Sequence, residues 1–254
     1  MKPFDDNYST VVEWDSKRTV ELSEKYKVYV QVTDAYADLV CEIVNVLGAK
    51  KPKSVQDLVV RDLAADVFDA LHESRGIILK GKCDMAYPLA RRAYESLSLM
   101  VLCALDVSFA VKWQSGVEIS NGTVRRELAK HPFGETEEST KQLYKFFSSA
   151  AHPNRSMIPH RFLGEGNQFV LGAVPQPSLA LVTDYCLKHL SMWFWFAAFL
   201  GYFYDDHIRA ERQDFGNRYL KVAETAQWLA EQLTENFNRL LKVEQEEIAK
   251  GKES

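Results

Sequence analysis

The chain of 254 residues reads as an all-α protein, a bundle of about six long helices with a small β-hairpin insertion near 161–172. Three observations lead there. Apolar residues recur at steps of three and four over stretches far longer than a strand. Serine, aspartate and glycine stand where helix caps belong. One segment, RFLGEGNQFVLG, instead reads as two short extended runs around a glycine-rich turn.

The first helix is expected over about 18–47, where Val28, Val32, Ala35, Leu39, Ile43 and Val46 form one stripe and Gly48 with AKKPK stops it. Ser54 followed by Asp57 reads as a capping box opening a second helix that ends near Lys80, with Gly81 just past its end. Asp84 is placed as cap of a third helix running to about Trp113. That helix is apolar nearly all round, which marks it as central, so its polar residues Arg91, Arg92, Glu95 and Ser98 stand out. A loop-rich stretch with a short helix at 123–130 follows, then a fourth long helix from about Thr136. Beyond the hairpin, Ser178 opens a helix holding LSMWFWFAAFLGYFY, and a last helix over 215–250 repeats Val222, Ala226, Leu229, Leu233, Phe237 and Leu240 at near-heptad spacing.

Composition narrows the function classes. A hydrophobic content of 46% supplies a sizeable core, and a net charge of -4 disfavours a broadly basic nucleic-acid surface while leaving room for a local basic pocket. Cys41, Cys83, Cys103 and Cys186 form no CxxC pair and read as buried free thiols. The start MKPFDDNYST has no apolar run of signal-peptide length, so a cytoplasmic protein is expected. The uncharged run Leu190–Tyr204 falls short of the ~20 residues that span a bilayer, so it is expected to be core helix or subunit interface rather than a membrane insertion. One domain over 1–254 is the economical organisation, with a core at about 54–206 on which the helices at 18–47 and 215–250 pack.

The densest chemistry lies in KQLYKFFSSAAHPNRSMIPH, residues 141–160. Ser148, Ser149 and His152 end an amphipathic helix at Pro153, and histidine suits acid–base work near neutral pH. The competing reading has His152 satisfying carbonyls freed at the helix end. Arg155 and His160 follow as R-x-x-x-x-H, with Pro159 making an unbroken helix between them improbable. Arg91 and Glu95, four apart, share a helix face, either as a structural brace or as part of a site. His72, His131, His189 and His207 lack partners at metal-ligand spacing, no GxSxG or HExxH motif is present, and no metal or cofactor is expected.

Taken together, ILKGKCDMAYPLARRAYESLSLMVL, YKFFSSAAHPNR and the later FVLG resemble an uncharacterised bacterial all-helical family, similar to HEPN (higher eukaryotes and prokaryotes nucleotide-binding) domains. The likeness spans about Ile77 to Tyr204. It implies a pocket shared by Arg91 or Arg92, Glu95, Ser148 and His152, with Arg155 and His160 as the counterpart of the HEPN ribonuclease motif. Pro159 departs from that motif, whose active residues lie on a helix. The resemblance further implies a metal-independent ribonuclease, or an RNA- or nucleotide-binding protein, in a bacterial defence or toxin setting. Two alternatives stand beside it: a non-catalytic helical interaction module, and a structural homodimer joined through the apolar helix 190–204 or the C-terminal helix.

Overall fold

The computed structural model describes residues 8–48, 50–131, 138, 141, 144–145, 162–163, 168–169, 174 and 176–252, with side chains described only to 243 at the C-terminal end. Among these residues the regular structure is helical apart from one two-residue ladder and an isolated bridge residue, Gln176. The helices are α1 (Tyr8–Lys25), α2 (Lys27–Leu47), α3 (Val55–Ile78), α4 (Cys83–Leu105), α5 (Val107–Gln114), α6 (Asn121–Leu128), α7 (Leu179–Phe203), α8 (Asp205–Glu211) and α9 (Phe215–Lys252). Of the expected hairpin at 161–172, the described residues are β1 (Phe162–Leu163) and β2 (Gln168–Phe169), which pair antiparallel with Phe162 opposite Phe169. Most of the helix expected from Thr136 lies outside the described residues.

Several caps form as their residue types dictate. Ser54 accepts the Asp57 amide at 3.1 Å, and Ser178 accepts the Leu181 amide at the same distance. Gly81 leaves α3 at φ +75°, the left-handed conformation in which a residue with a side chain is strained. Asp84 is not the cap of α4: the helix begins one residue earlier, at Cys83, and Asp84 lies in its first turn.

Two expected helices are each broken in two. The first begins at Tyr8 and bends at Tyr26, whose φ/ψ of -107°/30° leaves the helical region. Tyr26 is buried there and its hydroxyl meets that of Thr183 at 2.8 Å, so a tertiary contact decides the bend. The third ends at Leu105 because Asp106 turns extended and caps α5, accepting the Ser108 amide at 2.8 Å. Gln56 on α3 then donates to the freed carbonyls of Cys103 and Ala104.

α7 is the hub, packed against α2, α3, α4 and α9, while α3 and α4 form the closest helix pair. Trp193, Phe196 and Leu200 of α7 are fully buried, each contributing roughly 1.5–3 kcal/mol relative to exposure. Much of Leu190–Tyr204 is thus used inside the chain, with Trp195 and Tyr202 facing outward. Among the described residues no helix is long and apolar enough to cross a membrane. Cys83, Cys103 and Cys186 are buried, but Cys41 is exposed, which corrects the expectation of four buried thiols.

One buried polar knot ties the α2–α3 connection to α7. The Asp57 carboxylate accepts from Arg61, the Lys53 amide and the Tyr204 hydroxyl at 2.8–2.9 Å. Burial pushes this carboxyl up, but the three donors outweigh it and hold it below the usual aspartate value. Arg61 also donates to the Lys50 carbonyl at 2.8 Å, tethering the end of α2.

Candidate functional site

The polar residues singled out on α4 separate. Arg91 donates through Nε to Glu95 Oε1 at 2.7 Å, the i,i+4 pair expected from spacing. Its Nη2 donates to the Tyr144 hydroxyl, also at 2.7 Å, and its Cζ lies 4.9 Å from the Tyr144 ring centroid. Both members of the ion pair remain about a quarter exposed, so the pair borders solvent. The hydrogen bond from Arg91 to Glu95 raises the arginine above its ordinary value and keeps it charged. Arg92, one residue on, turns the other way: it pairs with Asp66 on α3, whose carboxylate also accepts from Ser96 at 2.6 Å. Arg92 therefore braces α4 against α3 and lies outside the Arg91 cluster.

A residue that sequence reasoning missed completes the arrangement. Ser120 caps α6 and buried Val124 anchors it, and α6 packs on α4. That placement brings the Arg125 guanidinium over the same Tyr144 ring, Cζ to centroid 4.4 Å. Arg125 Nη1 is buried with no hydrogen-bond partner, and among the described residues Arg125 forms no ion pair. Two guanidinium groups thus converge on one tyrosine, and Arg91 is paired with Glu95. A buried donor left unmatched costs free energy that an incoming acceptor recovers. Guanidinium groups carry paired donors of the kind that match phosphate and carboxylate oxygens.

Ser148, Ser149, His152, Arg155 and His160 lie outside the described residues. Ser148 and His152 follow Tyr144 in the sequence at successive steps of four. Arg125 had no local signal, because its partner Tyr144 is a tertiary neighbour.

Among the described residues a buried histidine lies elsewhere. His189 on α7 is fully enclosed, its Nε2 2.9 Å from the Leu71 carbonyl and its Nδ1 2.7 Å from the Tyr29 hydroxyl. A carbonyl only accepts, so Nε2 carries the proton and Nδ1 accepts from Tyr29. Burial lowers its pKa to about 3, which keeps the ring neutral. Among the described residues no group of three His, Cys, Asp or Glu side chains is placed to share a metal ion. Neither a family model, nor a curated protein, nor a solved structure matches this chain.

Proposed function

We propose that this protein binds RNA or a nucleotide phosphate at the Arg91–Arg125–Tyr144 cluster and cleaves RNA there without a metal. The observation that carries the reading is the convergence of two guanidinium groups on one aromatic ring. Arginine supplies the phosphate contact, and the Tyr144 ring holds the two guanidinium groups together. Glu95 orients Arg91, while the unmatched Nη1 of Arg125 awaits an acceptor.

In the cleavage step His152 or His160 takes the ribose 2′-OH proton, the 2′-oxygen bonds to the adjacent phosphorus as the P–O5′ bond breaks, water protonates the departing 5′-oxygen, and Arg155 or Arg91 stabilises charge on the phosphate. Ser148 and Ser149 donate to the same phosphate in this reading. The defence or toxin setting follows from the HEPN likeness alone. Binding without cleavage is the second reading. It is favoured because the described part of the cluster holds guanidinium groups and a tyrosine and no histidine.

The test combines binding and cleavage of a single-stranded RNA by the full chain, with folding followed by circular dichroism. Arg91→Ala and Arg125→Ala are each expected to weaken binding by about tenfold or more, the loss of one charge-assisted contact. His152→Ala or His160→Ala is expected to abolish cleavage while binding persists. Unchanged RNA affinity in both arginine variants would sink the reading. Retained binding sites with no cleavage by wild type on varied RNAs would establish the second reading instead.

A further inference from the structure

The C-terminal end of α7, the short helix α8 and the start of α9 enclose an open cleft of about 600 Å³, away from the Arg91 cluster. This volume lies in the range of small-molecule sites. The floor is cleared by residues with little or no side chain, Ala197, Gly201 and Gly216, and aromatic rings form its walls. Gly201 is needed for the floor: a Cβ there would meet Phe215 Cε1 at 3.2 Å. Tyr202 and Tyr219 both line the cleft, the first 74% exposed to solvent and the second partly buried. Burial pushes the Tyr219 phenol up to about 12, so its ring stays neutral and electron-rich at physiological pH.

Three charged residues complete the lining, and they do not cancel. Arg209 donates to Asp205 at 2.7 Å and neutralises it. Asp206 is exposed and forms no ion pair among the described residues. Arg209 also feels the charge of Asp206, so two carboxylates share one guanidinium and the lining of the cleft keeps a net negative charge beside its aromatic rings. Anions are repelled from such a site, and a neutral apolar guest leaves the carboxylate unused. A cation carried on an apolar body satisfies both, through the ring quadrupoles and through Asp206. We infer that this cleft is a binding site for an organic cation of the quaternary-ammonium or alkylammonium class. It is independent of the proposed RNA site, since it uses none of the same residues.

The glycine at the floor provides a clean variant. A Cβ added at Gly216 meets nothing within 4 Å, so a larger side chain there grows into the open cleft. Gly216 is also the second residue of α9, where a good helix former replaces glycine without conformational loss. The experiment titrates the full chain with choline and benzyltrimethylammonium by calorimetry and saturation-transfer NMR, with 3,3-dimethylbutan-1-ol as the neutral isostere of choline. Both cations are expected to bind, and choline about tenfold or more above its neutral isostere. Asp206→Asn and Tyr202→Ala are each expected to weaken the cations severalfold. Gly216→Leu is expected to abolish their binding with no loss of thermal stability. Equal binding of choline and its neutral isostere, or cation binding that survives in Gly216→Leu, overturns the inference. So does the absence of binding by either cation at millimolar concentration. A sedimentation shift from dimer to monomer on Gly216→Leu would assign the cleft to a second copy of the chain, which also overturns it.

Discussion

At the scale of single residues, His189 shows how burial decides what a histidine does. The sequence placed it beside a long apolar run, and the fold encloses it between Tyr29 and the Leu71 carbonyl, stacked on Tyr185 with centroids 5.3 Å apart. Its folded pKa is lowered to about 3 from an ordinary 6.5. A depressed folded value means the native state refuses a proton that the unfolded chain accepts. The contribution to stability is therefore full above 6.5 and is lost as pH falls below it. The limiting slope is about 1.4 kcal/mol per pH unit for one proton. Urea unfolding of wild type between about pH 6.5 and pH 4.5 is expected to lose stability more steeply than that of His189→Gln, by close to one proton. Parallel curves would show that His189 is protonated in the folded chain. Tyr29→Phe removes the donor to Nδ1 and is expected to cost about 1–3 kcal/mol, the penalty of one unmatched buried acceptor.

At the scale of elements, what was legible was local. Ser54, Ser178 and Gly81 announced helix ends because a cap is a matter of a few neighbouring residues. The Arg91–Glu95 pair was legible for the same reason, being one helical turn long. The bend at Tyr26 was not, since it depends on Thr183, far along the chain. The stripe expected on α2 was also out of phase at its start: Val28 is exposed, and buried Tyr29 and Tyr36 carry the face. Aliphatic periodicity hid them because tyrosine serves surface and core alike. The Arg125–Tyr144 contact was invisible on the same grounds, for neither residue signals the other. Two glycines around the end of α3 test this account of caps. Gly76 is an exposed helical position with open space at its Cβ, so Gly76→Ala is expected to stabilise the fold by about 0.5–1 kcal/mol. Gly81→Ala is expected to destabilise it by about 2 kcal/mol or more, since it meets both the positive φ and Pro177 Cβ at 2.8 Å. Chemical denaturation of both variants checks the pair, and a stabilised Gly81→Ala would refute the cap.

For the whole molecule, the decisive feature is the contrast between net charge and the Arg91 cluster. With 31 basic and 35 acidic side chains the chain as a whole repels a polyanion. Many surface cations are already engaged: Arg212 and Arg218 both grip Glu42, binding the start of α9 to α2, and Lys82 holds Asp15 of α1 to the start of α4. RNA binding under the proposed function must therefore rest on few phosphate contacts. Each phosphate neutralised on a single strand contributes about -0.7 to the slope of log affinity against log salt. Contacts from Arg91 and Arg125 alone give a slope of about -1.4, so raising salt fourfold weakens binding only about sevenfold. Arg125→Ala is expected to bring the slope to about -0.7, with folding followed by circular dichroism because the variant also loses the contact with the Tyr144 ring. A wild-type slope of about -4 or steeper, unchanged in Arg125→Ala, would place the RNA on some other, broadly basic surface and remove the Arg91 cluster from the mechanism.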